Sequence, residues 1–456
     1  MQNKLIHTNP ITITGIYVER LFGKYTYRIP EHKNIGLFTN LIILYGENGT
    51  GKTKLLSILY HILSPARAGG HRSYIAKIPF GLFRVDLSNG MSVSAERTTS
   101  KIIGDFTWSI SKGKKVLASA SLQADSRGSI PKELPPDIEE DHSKVVEILE
   151  TLGINLVFLA DNREIQGTSP ITETIDFHGD KLVLERPFTL FERDLLFRST
   201  QRDKADSVPL LEAINQLTTW IRDRVVEASN RGDTNASTIY TDLIKTIASI
   251  KRNEIDVTDV QVADLRNTLL SLSEINKQYS DLGLLPQMNL ETVAETIKSV
   301  DNQAAKNALY SVTKPYIDGI TARFKALEEI KDIINIFLRN INGFYKDKLI
   351  QYNYSTGISI KTNEGQALDQ AVLSSGEKQL LLLFCHAVAV TNTSRIFVID
   401  EPEISLNVTW QRKLVRALLE CTSKSQFQLI LATHSIELLT QHSDHVAELN
   451  NLMIKQ

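Results

Sequence analysis

Eight consecutive residues carry the most specific chemistry in the chain. Gly46-Glu47-Asn48-Gly49-Thr50-Gly51-Lys52-Thr53 follows the pattern Gly, four residues, Gly-Lys-Ser/Thr. Gly49 and Gly51 let the backbone turn its N–H groups inward, with Gly46, Asn48 and Thr50 completing the loop. The start of a following helix adds positive potential. Such a cradle fits the phosphates of a nucleotide. Lys52 would place its ammonium on the β- and γ-phosphates, and the Thr53 hydroxyl would ligate Mg2+.

Three further clusters follow much later. Ile396–Ile399 is an apolar run ending in Asp400 and Glu401. Two adjacent acids at the end of a buried strand are costly unless they meet a cation or water. Asp400 would hold Mg2+, and Glu401 would polarise an attacking water as general base. Leu373-Ser374-Ser375-Gly376-Glu377 precedes an apolar helix over Leu380–Val390. Ser374, Ser375, Gly376 and Glu377 would offer unpaired N–H groups to an anion. Taken alone, they also fit an ordinary N-cap with Glu377 at N3, a capping box. Last, His434 follows the apolar run Gln428–Ala432 and could bond a γ-phosphate or a lytic water.

The elements that must position these residues are legible around them. Leu41–Tyr45 reads as a buried parallel strand and Lys54–Leu63 as a helix, the context a phosphate loop requires. Ile396–Ile399 and Gln428–Ala432 read as strands whose carboxyl ends would face a ligand. Around them, Ile11–Val18 alternates, and Phe80–Asp86 and Met91–Glu96 flank Asn89-Gly90 as a hairpin. A second hairpin is expected over Phe106–Ile110 and Lys115–Ala118, a loop over Gln123–Asp141, and a strand over Asn155–Ala160. Between 186 and 348 the texture is helical. Leu210, Ile214, Leu217, Ile221 and Val225 recur at helical spacing, as do Ile320, Phe324, Leu327, Ile330, Ile334, Phe337 and Ile341. The stripes suit a coiled-coil-like helical hairpin or small bundle. The expected division is 1–185, 186–348 and 349–456, an α/β fold interrupted by a helical insertion.

Composition sets bounds. The 456 residues carry 51 Lys and Arg against 53 Asp and Glu, which argues against a strongly cationic nucleic-acid clamp. Two cysteines, Cys385 and Cys421, make no disulfide framework, and a reduced cytoplasmic setting is expected. The polar N-terminus has no signal-peptide pattern, and no apolar run is long enough to span a bilayer, so no membrane partner is expected.

Phosphate loop, long insertion, Leu-Ser-Ser-Gly-Glu, apolar-Asp-Glu and histidine, in that order, resemble the ATP-binding-cassette ATPases. The likeness is greatest to the branch of SMC, Rad50 and the overcoming-lysogenization-defect ATPases. It covers the regions around the motifs, while the helical middle matches in position and texture. It implies an ABC-type P-loop head with a mixed sheet, binding ATP and Mg2+. Lys52 and Thr53 would serve nucleotide and metal, Asp400 metal, Glu401 hydrolysis and His434 the switch. Ser374–Glu377 would act in trans on ATP held by a second subunit, so at least a homodimer is implied. Ser405-Leu406-Asn407 would cross that interface. Two positions depart from the pattern: Ser375 stands where many relatives have Gly, and Asn407 where His is common. Gln166 is the candidate for sensing Mg2+, with Arg163 as an alternative contact.

The stretch after His434 leaves no room for the TOPRIM nuclease of the lysogenization-defect branch. A nuclease partner would therefore be a separate polypeptide. That resembles antiphage systems such as PARIS and Septu, which pair such an ATPase with a TOPRIM or HNH protein and respond to a phage-encoded trigger. The alternative is an SMC- or Rad50-like DNA-repair ATPase. It would show DNA-stimulated, salt-sensitive turnover.

Overall fold

The computed structural model describes residues 11–30, 40–67, 69–97, 101–161, 165–177, 180–189, 208–249, 257–298, 300, 302–390, 396–423 and 427–450. Within them, 165–177, 180–189, 208–209, 233–249 and 390 are described by their backbone alone. The chain opens with β1 (Ile13–Leu21) and β2 (Tyr25–Ile29). Next, β3 (Leu41–Tyr45) leads through the glycine loop into α1 (Lys52–Leu63). A short α2 (His71–Lys77) precedes two hairpins, β4 (Leu82–Leu87) with β5 (Met91–Glu96) and β6 (Phe106–Lys112) with β7 (Lys115–Leu122). Then come α3 (Pro136–Leu152), β8 (Leu156–Leu159) and the hairpin β9 (Ile165–Phe177) and β10 (Asp180–Thr189). Four helices follow: α4 (Val208–Ser249), α5 (Asp259–Asp281), α6 (Leu290–Lys298) and α7 (Gln303–Asn342). The chain continues through β11 (Lys348–Asn353), β12 (Gly357–Thr362), β13 (Ala367–Leu368) and α8 (Ser375–Val390). It closes with β14 (Ile396–Asp400), α9 (Val408–Cys421), β15 (Gln428–Thr433), α10 (Ile436–Leu439) and β16 (Val446–Glu448).

Two compact units result, Met1–Pro209 with His386–Gln456, and Leu210–Cys385. The expected divisions were 185/186 and 348/349. The observed ones differ because β10 continues the first unit's sheet to Thr189, while β11–β13 pack with the end of α7.

The first unit holds an antiparallel sheet in the order β2-β1-β4-β5-β6-β7 and a mixed sheet in the order β10-β9-β8-β14-β15-β3-β16. In the mixed sheet β8, β14, β15, β3 and β16 run parallel, and β9 and β10 join antiparallel. Helix α1 packs against β8, β14 and β15 of one sheet and β5 of the other. Ten of its twelve residues are buried, as a helix lying between two apolar layers requires. Gln428 ties the layers together: its side chain accepts from the Ile13 N–H and donates to the Ile13 carbonyl, each at 2.8 Å.

The loop expected over Gln123–Asp141 ends early. Helix α3 starts at Pro136, whose missing N–H costs nothing in a first turn that also carries Asp137 and Glu139. The acidic, Pro-rich composition concealed a helical spacing that buries His142, Val145, Val146 and Leu149.

In the second unit, α4 has 42 residues and α7 has 40, about 60 Å each at 1.5 Å per residue. They run antiparallel: Gly232 lies beside Arg323 and Ala326, and beyond α4 the Val257 N–H reaches Asn307. The stripe from Ile320 to Ile341 is buried at every position named above, and Tyr279 of α5 stacks on Phe324. Among the described residues no helix is long and apolar enough to cross a membrane.

Candidate nucleotide site

The site begins where three parallel strands stop level with one another. Asp400 on β14 pairs with Ala432 on β15, and Ala432 and Thr433 pair with Leu44 and Tyr45 on β3. The glycine loop, the acidic pair and His434 therefore leave one edge of one sheet, within the first unit. Parallel pairing brings the carboxyl ends of β3, β14 and β15 to the same side of the sheet.

Gly49 and Gly51 both adopt left-handed backbone, at φ 86° and 92°. At Gly51 a Cβ would come within 2.8 Å of Leu21 and 3.1 Å of Phe22, so glycine is required twice over. Thr50 braces the loop, its hydroxyl donating to the Glu47 carbonyl at 2.8 Å while its own carbonyl accepts from the Tyr27 hydroxyl at 2.9 Å. The Lys52 ammonium is buried and donates to the Gly46 and Glu47 carbonyls at 2.7 and 3.1 Å. Among the described residues no side chain caps the N-terminus of α1, which leaves its first N–H groups to an external anion.

Asp400 is 2 % exposed. Burial pushes its carboxyl up to about 6, with Asp161 and Glu401 adding repulsion, while the Thr53 hydroxyl and the Lys52 ammonium pull the other way. Among the described residues, neither carboxylate oxygen gains a hydrogen bond of ordinary geometry. A buried, unsatisfied acid beside a hydroxyl fits a hard divalent cation such as Mg2+. Asp161, at the end of β8 next to β14, is a charge at this edge that sequence reasoning did not assign.

Glu401 takes φ 47°, uncommon for a residue with a Cβ, and its N–H donates to the Ala432 carbonyl at 2.9 Å. Its Oε1 lies 3.3 Å from His434 Nδ1. Glu403 was not foreseen as a site residue. It is buried, and its Oε1 accepts from the Thr433 hydroxyl and from the His434 and Ser435 N–H groups at 3.1 and 3.3 Å. Ser405 is also left-handed, at φ 67°. Asn407, where the related motif has His, is the N-cap of α9 and accepts from the Trp410 N–H at 3.0 Å.

Ser374–Glu377 lie in the second unit. There the capping box is formed: the Ser374 N–H donates to Glu377 Oε2 at 2.7 Å, and the Glu377 N–H reaches Ser374 Oγ at 3.3 Å. Lys348 holds both Glu377 carboxylate oxygens, at 3.0 and 2.8 Å, and the Tyr345 hydroxyl donates to the Glu377 carbonyl at 2.7 Å. Burial raises the Glu377 carboxyl, but Lys348 and Ser374 outweigh it and hold it below its ordinary range. Ser374 and Ser375 remain exposed, and Gly376 is buried. Arg163 and the side chain of Gln166 lie outside the described residues.

A family model described as "AAA domain, putative AbiEii toxin, Type IV TA system" matches residues 183–440. It starts downstream of the phosphate loop. The oligopeptide transport ATP-binding protein OppD of Lactococcus lactis subsp. cremoris is 26% identical over 122 residues, 26% of this chain and 34% of that protein. The peptide transport ATP-binding protein SapD of Escherichia coli O6:H1 is 26% identical over 104 residues, 23% of this chain and 30% of that protein. The chain thus spans about a third of the length of these curated relatives. Among solved structures, the Smc head domain of Pyrococcus furiosus, bound to the C-terminal domain of ScpA, matches with TM-score 0.37 and 13% identity. That match covers 94% of this chain and 91% of the other. The Smc head of Pyrococcus yayanosii gives TM-score 0.34 at 13% identity, covering 94% and 93%.

Proposed function

Because the chain belongs to the family described as "AAA domain, putative AbiEii toxin, Type IV TA system", we propose that it is an ABC-type ATPase whose site is completed by a second copy. The observation that carries this reading is the level ending of β3, β14 and β15. It sets Lys52, Thr53, Asp400, Glu401 and His434 at one edge.

The chemistry follows from the residues. The loop N–H groups and Lys52 bind and orient the phosphates. Thr53 and Asp400 would hold Mg2+, which neutralises charge on the phosphate oxygens. Glu401 accepts a proton as water attacks the γ-phosphorus. A new O–P bond forms, the bond to the leaving ADP oxygen breaks, and phosphate departs. His434, beside Glu401, lies where its ring can hydrogen-bond the phosphate or the water. In a closed pair, exposed Ser374 and Ser375 of one copy cap the γ-phosphate held by the other. Their place at the start of α8 supports this role.

The finer reading is that closure gates a separate effector, a TOPRIM or HNH nuclease, after a phage-derived trigger, in the manner of AriA or PtuA. It rests on the resemblance drawn from the motif order, which the DNA-repair alternative shares. The family's description also names a toxin of a TA system, a setting that would place a second, genetically linked protein beside this one.

Native mass measurement of Glu401→Gln, expressed with its neighbouring genes, tests both levels. An ATP-dependent dimer or larger assembly holding a second polypeptide is expected. A dimer alone would remove the effector, and DNA-stimulated turnover would then favour the DNA-repair alternative. Loss of all ATP binding and turnover in the wild type would remove the ATPase.

A further inference from the structure

Glu403 is a buried acid with no lysine or arginine partner among the described residues. Its position is bound up with the loop that follows β15. One oxygen, Oε1, gathers the Thr433 hydroxyl and the N–H groups of His434 and Ser435. The same oxygen lies 3.4 Å from His434 Nδ1, while Glu401 Oε1 faces that nitrogen at 3.3 Å. Carboxylates only accept, so two of them beside Nδ1 favour the tautomer that carries its proton there, with Nε2 as the acceptor. A second link runs alongside: the Ser435 hydroxyl donates to Gln411 Oε1 at 2.7 Å, and Gln411 Nε2 donates to the Leu406 carbonyl at 2.8 Å. The loops after β14 and β15 are thereby joined twice.

We propose that Glu403 is the positioning residue for His434, fixing both the path of its backbone and the tautomer of its ring. The proposal rests on the ATPase reading for its kinetic consequence, but its geometry stands without turnover. It explains why an acid occupies a buried position three residues beyond Asp400. A neutral oxygen could accept the same bonds, but a carboxylate adds charge that holds the Nδ1 proton more strongly.

Glu403→Gln is the informative variant, because its amide oxygen keeps the acceptor while the charge is lost. Glu403→Ala would take the acceptor from the Thr433 hydroxyl and the His434 N–H and is expected to melt early. In nucleotide-free protein with isotopically labelled imidazoles, the His434 resonance is identified by its loss in His434→Ala. It should report an Nδ1–H tautomer in the wild type and a mixed population in Glu403→Gln. In steady-state assays Glu403→Gln should lower kcat about tenfold with KM for ATP little changed. The double variant Glu403→Gln/His434→Ala should be no slower than His434→Ala alone. Identical His434 resonances in wild type and Glu403→Gln, or losses that multiply in the double variant, would overturn the proposal. If the wild type shows no turnover, the ATPase reading falls, and the resonances still decide the role of Glu403.

Discussion

His61 Nδ1 lies 2.9 Å from His71 Nδ1 in the interior of the first unit. One ring must donate and the other accept, so the two cannot both be charged. Arg72 lies against them, donating to the His61 and Ser64 carbonyls and stacking 3.5 Å over Trp108. Burial, with Arg72 nearby, lowers the two histidines from 6.5 to about 2 and about 3. Unfolded, both titrate near 6.5. Between that value and about 3 the unfolded chain therefore binds more protons, and stability falls as pH falls. His142 acts in the same direction, whereas Asp400, with its raised carboxyl, acts in the opposite one. Urea midpoints should drop from pH 7.5 to pH 5.5 in the wild type and drop less in His71→Asn. Parallel slopes in the two proteins would clear the pair of this role.

Asp400→Asn should separate stability from function. The amide removes a buried charge that the chain leaves unsatisfied. Without Mg2+ the variant should melt about 2–4 °C higher than the wild type, equivalent to about 1 kcal/mol. It should also lose Mg2+-dependent turnover. A lower melting temperature with turnover intact would make the carboxylate a structural anchor instead.

Lys52→Ala should weaken ATP binding at least about tenfold, roughly 1.4 kcal/mol, by calorimetry. Among the described residues its ammonium hydrogen-bonds only to carbonyls of its own loop, so the fold should survive. Unchanged affinity would take Lys52 out of the phosphate site.

Ser375→Arg places a long cation at an exposed position in the first turn of α8. ATP binding by the single chain should persist while ATP-dependent dimers disappear in sedimentation. Normal dimers and turnover would reduce Ser374–Glu377 to the capping box that they already form.

What was legible was local. The strands β3, β14 and β15 announce themselves as unbroken apolar runs ending in polar clusters, and Asn89-Gly90 marks its hairpin directly. The phosphate loop is a contiguous pattern, so its glycines could be assigned before any fold was known. The hairpin of β11 and β12 was missed because alternation there is weak and half-buried. The hairpin of β9 and β10 was missed as well, its mixed residues lacking a continuous apolar run. Glu403 was invisible for a different reason. Its partners lie about thirty residues further on, at Thr433–Ser435, and become neighbours only when β15 settles beside β14. Pro402 and Glu403 following the acidic pair were the one available hint.

The clasp between Gln428 and Ile13 joins residues 415 positions apart, and β3 finds its parallel neighbours only in β15 and β16. During synthesis, then, the phosphate loop emerges from the ribosome long before the strands that flank it. At about 5–20 residues per second the delay between β3 and β15 is roughly 20–80 s. Through that interval an apolar strand waits unpaired, and the intervening helical unit has time to close on itself first. The nascent chain cannot bind nucleotide early, and holding β3 apart from other sticky strands becomes a task for the cell's chaperones.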